Sequence, residues 1–241
     1  MSRCDPKDLI PPQFKLLQAT GGREAKTAGG RPGQFYHTLR GDVVDQINCC
    51  VVDIIKVRTK WGGEISDAPP ECSSDDADSL LSRDGKDCRE CLFRCDTPWS
   101  VEAQARRDLC TIGYVLLGVD IDQNDEPFVL RAHGVSVGAV RELLSALRFN
   151  RTLKGQYWQA CVRLSSQEKH TKQGTVWALV ARPSGLLPSD KIEELKDWIP
   201  ELLGIPIAPA LEAGNGGISL LPEGVEKEEL EEEAPGYTLD Y

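Results

Sequence analysis

Apolar and polar positions alternate over residues 53–61. Ile55, Val57 and Trp61 fall on one side and Lys56, Arg58 and Lys60 on the other, which predicts a strand with one basic face. Upstream, residues 43–52 are rich in Val, Ile and Cys but keep no single register, so a bulge or burial on both faces is expected there. Residues 111–122 carry Ile112, Tyr114, Val115, Leu116, Leu117 and Val119, a second strand, and Asn124-Asp125-Glu126-Pro127 forms the turn into a third over 128–132. Val140, Leu143, Leu144 and Leu147 recur at helical spacing behind Ser136, a candidate N-cap, and the pattern stops before Asn150. Residues 156–164 and 175–181 make a second candidate hairpin around a polar segment. Ile192, Leu195, Trp198, Ile199 and Leu202 mark another amphipathic helix over 190–203, closed by Gly204 and Pro206.

Five strands with a helix between the third and fourth is the order of an OB-fold. The expected class is mainly β (α+β): a five-stranded OB-fold-like barrel with an insertion at 62–110 between its first two strands, an added C-terminal helix and an acidic tail. A different small β-barrel or sandwich is the alternative. Residues 19–34 are rich in glycine and basic residues and lack an apolar period, so 1–34 is expected to be a flexible arm, with the core at 35–185. A helix and linker at 186–221 and a disordered tail at 222–241 complete the division.

Composition narrows the class of protein. No run approaches the roughly 18 apolar residues of a membrane helix, so no membrane partner is expected. The first twelve residues bring acids and prolines where a secretory signal carries an apolar stretch, so the reducing cytoplasm is the expected location and the nine cysteines need a role other than disulfides. The net charge of −10 is uneven: 222–241 hold eight acids against Lys227, a net of −7, and leave −3 for the rest. Asp75, Asp76, Asp78, Asp84 and Asp87 form a second acidic cluster, so other surfaces can be locally basic.

Five cysteines fall in or at the end of the polar insertion: Cys72, Cys88, Cys91, Cys95 and Cys110. A C-x2-C pair such as Cys88 and Cys91 presents two sulfurs to one tetrahedral metal, and Cys72 and Cys110 stand where the insertion leaves and rejoins the barrel. The expected cofactor is a structural zinc ion held by Cys72, Cys88, Cys91 and Cys110, with Cys95 the alternative fourth ligand. Four thiolates leave no open position for water, which argues against catalytic zinc.

Given the strand order, the Phe35-Tyr36 entry, Arg58-Thr-Lys-Trp61, Pro70-Glu-Cys72-Ser73, Cys88-Arg-Glu-Cys91, Trp99, Cys110 and Pro127, the chain resembles the single-stranded DNA-binding proteins of tailed bacteriophages and prophages over about residues 35–182. Cys95 departs from that pattern. The resemblance implies a non-enzymatic OB-fold protein with a zinc-bearing loop that coats single strands during phage DNA replication or recombination in the bacterial host cytoplasm.

A binder of this kind interleaves cations for phosphates with flat rings for bases. The candidates are Lys56, Arg58, Lys60 and Trp61 on the first strand, Trp99, Arg106 and Arg107 in the insertion, and Arg131, Tyr157, Trp158 and Arg163 on later strands. The tail, with Glu231, Glu232, Glu233, Leu239, Asp240 and Tyr241, is expected to compete with DNA for the basic groove and, once displaced, to recruit a polymerase, helicase or recombinase. His37, His133 and His170 have no partner at informative spacing, and no phosphate-loop or zinc-hydrolase motif is present, so no enzyme is expected. The rival class is a zinc-stapled transcription or replisome adaptor that binds DNA weakly.

Overall fold

The structure is a computed structural model describing residues 11–19, 29–60, 70–78, 80–96, 109–171 and 174–203. Its longest strand, β4 (Ile47–Lys60), is the spine of one curled sheet. β4 pairs antiparallel with β6 (Cys110–Asp120) along most of its length, with β8 (Ala160–Thr171) at its start and with the short β5 (Cys72–Ser74) at its end. β7 (Glu126–Ala132) continues from β6, and β9 (Gly174–Leu186) from β8. Beyond β7 lie β1 (Gln13–Leu16), β2 (Phe35–His37) and β3 (Val43–Val44). The order β3-β2-β1-β7-β6-β4-β8-β9, with β5 attached to β4, makes a nine-stranded half-barrel.

The five segments expected as strands correspond to β4, β6, β7, β8 and β9, which are neighbours in the sheet as β7-β6-β4-β8-β9, and helix α1 (Val137–Phe149) lies between β7 and β8 in the chain. Three further strands, β1, β2 and β5, were not foreseen, and β3 is split off from the β-rich stretch that begins at Val43. β1 lies inside the segment expected to be a flexible arm, and that expectation fails for it: Gln13 and Phe14 pair in parallel with Val129 and Leu130 of β7. Phe14 is buried edge-on against His37 and Phe128. Past β1, the Gln18 carboxamide donates to the Trp177 carbonyl and accepts from the Trp177 N–H, both at 2.9 Å. Gly33, at φ +90°, lies so close to the Trp177 indole that a Cβ would sit 2.4 Å from the ring. The N-terminal segment thereby joins the β7 side of the half-barrel to β9.

The two faces of the sheet have separate cores. One buries Phe14, Phe35, Val51, Leu116, Leu130, Leu164 and Leu179 under Val140, Leu143 and Leu147 of α1, as the helical spacing required. Ser136, at the N-cap of α1, accepts from the Leu179 N–H at 3.0 Å and so pins the helix to β9 rather than capping its own turn. The other face buries Cys50, Val115, Leu117 and Val129 under α2 (Ser189–Lys196) and α3 (Ile199–Leu203). The single helix expected over 190–203 is two, because Pro200 has no N–H to give Lys196 and its ring crowds that carbonyl. The anticipated irregularity in the first strand is a register shift between Val51 and Asp53. After it, Ile55 and Val57 face the α2–α3 core, while Lys56 and Arg58 pair with Tyr114 and Ile112 on the α1 side.

Candidate nucleic-acid interface

The basic face of β4 exists, but it is not an open groove. Each of its cations is matched by an acid from the stretch after it: Lys56 bonds Asp78 at 2.8 Å, Arg58 pairs with Asp96 and Lys60 with Glu71. Lys60 also stands 3.8 Å above the Phe93 ring. The Arg58 side chain is only 3% exposed. Its Nη2 meets Asp96, whereas Nε and Nη1 are buried with no hydrogen-bond partner among the described residues. Burial alone raises the Asp96 pKa, but hydrogen bonds from Arg58 and Arg94 outweigh it and hold the carboxyl below its ordinary value.

Beside this pair opens a pocket of about 500 Å³, lined by Lys56, Arg58, Arg94 and Arg141 together with Tyr114. Ile112 and Val137 supply apolar wall, and Asp78 and Asp96 the opposing charge, so the cations outnumber the acids by four to two. Val137 begins α1, whose first turn carries no acid, so the positive end of the helix dipole is not offset there. A low-dielectric wall and excess positive charge suit a phosphate, while Tyr114, 8% exposed and part of the α1-side core, belongs to the wall. Arg94 and Arg141 were not among the sequence-derived candidates. Arg141 lies on the polar side of the apolar stripe, a position that periodicity marks as exposed without showing what it faces.

The other described candidates on β7, β8 and the turn before β8 do not converge on this pocket. Arg131 faces the opposite side of the sheet, paired across from Val115. Burial lowers its pKa to about 10, assisted by Arg83 and countered by Asp75, and its Nε and Nη2 are buried without partners among the described residues. Arg163 is on that same side and exposed, opposite Arg182 on β9 and 3.4 Å from Asn48. Tyr157 and Trp158 are not on a strand. They sit in a 3-10 turn, Tyr157–Gln159, because the chain must swing from one sheet face to the other before β8. Tyr157 packs on the α1 core and Trp158 on the α2–α3 core. Trp61, Trp99, Arg106, Arg107 and the tail residues Glu231, Glu232, Glu233, Leu239, Asp240 and Tyr241 lie outside the described residues.

Cys72 and Cys110 stand at the end of β4. Lys60 is paired on one side with Cys72 of β5 and on the other with Cys110 of β6, so both thiols flank one position. Cys88 to Cys91 is a tight turn, closed by Cys91 N–H to Cys88 O at 3.5 Å and continued by Arg94 N–H to Cys91 O at 3.0 Å. Burial lifts the Cys110 thiol to about 11; Arg58 opposes this, and charge on Cys72, Cys88 or Cys91 adds to it. Burial likewise raises the Cys72 pKa, with Cys88 and Cys91 among the further causes. Those four thiols therefore lie within electrostatic reach of one another, whereas Cys95 packs with Leu109. Among the described residues, no three His, Cys, Asp or Glu side chains are gathered as a metal-binding group.

The chain matches no family model, and neither a curated protein nor a solved structure matches it.

Proposed function

We propose that this protein binds single-stranded DNA without sequence preference. The observation carrying this reading is the pocket between β4, β6 and α1, whose wall includes Tyr114 and which brings Lys56, Arg58, Arg94 and Arg141 together, with two buried guanidinium nitrogens of Arg58 lacking a partner among the described residues. Buried donors of that kind favour an anion strongly, because an unmet one costs about 1–3 kcal/mol. A pocket of this size admits one nucleotide unit of a flexible strand, whereas the phosphates of a duplex are held on a stiff cylinder.

The reading extends to the rest of the chain. The β7-β6-β4-β8-β9 path with α1 after β7 follows OB-fold order, with β1 standing parallel to β7 at the seam. In this reading Cys72, Cys88, Cys91 and Cys110 hold a structural zinc ion. Their chemistry suits the metal, and zinc there supplies folding energy to an insertion with little apolar core of its own. Cys95 is left to pack with Leu109. The acidic C-terminal stretch competes with DNA for the cations and, when displaced, recruits replication proteins, in keeping with a role in phage DNA replication or recombination.

An anisotropy titration of labelled oligo-dT, against a duplex of equal length, tests the reading. Preference for the single strand, weakened by Lys56→Glu and by Arg141→Glu, is the expected result. Absence of binding at micromolar protein overturns it in favour of the adaptor reading, which is favoured by Leu92, 87% exposed beside the Cys88–Cys91 turn.

A further inference from the structure

The C-terminal end of α1 carries a second arrangement of charge and ring, which the sequence reading did not select. Phe149, the last residue of α1, is 82% exposed. Arg148, Arg151 and Lys154, all exposed, lie within five positions of it in the chain, and no acid pairs with any of them among the described residues. By contrast, Arg40, Lys56, Arg58, Lys60, Arg83 and Arg89 each have a carboxylate partner, although Arg131, Arg163 and Arg182 have none among the described residues. A helix C-terminus favours one nearby cation through its dipole. Three cations and a solvent-facing phenyl ring exceed that need.

The patch is held rigidly. Leu153 is buried in the α1 core and anchors the turn between Arg151 and Lys154. Thr152 N–H bonds the Asn150 side chain at 3.0 Å, Leu153 N–H the Asn150 carbonyl at 3.2 Å, and Gln156 N–H the Leu153 carbonyl at 2.8 Å. Little order is then lost when a ligand arrives. The patch is also continuous with the pocket. Arg141 and Arg148 are seven positions apart on α1, two turns, which places them on one helix face about 10 Å apart along the axis. That span suits phosphates two nucleotides apart in an extended strand.

We infer that the exposed face of α1 is a nucleic-acid track, leading a single strand from the Tyr114 pocket over Arg141 and Arg148 to a base stacked on Phe149, with Arg151 and Lys154 on the phosphates beyond. This rests on the single-strand-binding reading above and assigns it a path along the helix, away from the sheet face that α2 and α3 cover.

The test uses the full chain and labelled oligo-dT. Phe149→Ala is expected to weaken binding about tenfold, as stacking on one ring predicts, and the double variant Arg148→Glu/Arg151→Glu to weaken it further and flatten the salt dependence. Phe149→Trp is expected to keep the affinity and to add a fluorescence signal that oligo-dT quenches. All these positions are exposed, so the fold is not at stake. Wild-type binding with unchanged affinity in Phe149→Ala and the charge-reversed variant overturns the track and leaves the reading above intact. Tighter binding after charge reversal also overturns it, because the patch then serves the chain's own acidic C-terminus. A wild-type chain that ignores oligo-dT removes both.

Discussion

Arg58 and Asp96 meet across the boundary between barrel and insertion, and the guanidinium is nine-tenths and more buried while the carboxylate is half-exposed. The contact satisfies one nitrogen of Arg58 and leaves Nε and Nη1 buried without a hydrogen-bond partner among the described residues. It makes Asp96 both a structural partner and a competitor for any phosphate that enters.

Asp96→Asn therefore separates two effects. Losing the carboxylate leaves a buried cation less well compensated, so stability should fall by about 2 kcal/mol, less than a fully buried pair would show because Asp96 is half in water. Oligo-dT affinity should rise severalfold at the same time, since an anionic competitor is gone. Urea midpoints and anisotropy on one preparation check both.

Gln18→Ala should loosen the seam of the half-barrel. Two hydrogen bonds to the Trp177 backbone disappear together, a loss of about 1–3 kcal/mol. Faster amide hydrogen exchange at Trp177 than at Leu179, whose amide is held by Ser136, is the local signature.

Strands β4, β6 and β7 and helix α1 were legible because each buries one periodic face locally. β1 was not: Gln13–Leu16 is a four-residue strand after two prolines, and what makes it a strand is a parallel partner more than a hundred residues away. The alternation of Lys56, Arg58 and Lys60 placed them correctly on one face. It carried no information on Asp78, Asp96 and Glu71, which reach them only through the fold. The apolar stripe that revealed α1 also drew attention away from Phe149, which lies outside it.

Metal analysis should find about one zinc per chain. Cys88→Ser and Cys110→Ser should each lose it along with several kcal/mol of stability, whereas Cys95→Ser should retain it. Retention in Cys110→Ser with loss in Cys95→Ser would exchange their roles.

Stability should fall on acidification as His133 charges. Burial, reinforced by the nearby Arg131, lowers its pKa to about 4, below the ordinary 6.5. The unfolded chain then binds the proton first, so the neutral ring's contribution is complete above pH 6.5 and is lost as the pH drops from 6.5 toward 4. Burial and Arg40 lower His37 in the same direction, with Glu126 and Asp42 opposing. His133→Gln should show a smaller difference between urea midpoints at pH 7 and pH 4.5 than the wild type, with the remainder due to His37 and other groups.

Deleting residues 223–241 removes most of the net negative charge of the chain. Oligo-dT affinity should rise, most at low salt, because a tethered anion is lost and screening weakens it in any case at high salt.

The most direct measurement is a salt titration of oligo-dT binding by the full chain, set against duplex of equal length. If Lys56, Arg141, Arg148, Arg151 and Lys154 bind phosphates as proposed, about five contacts predict a single-strand slope of log affinity on log salt near −3 to −4, with at least tenfold preference over duplex. Equal affinity for the two, or no binding at micromolar protein and low salt, would contradict it.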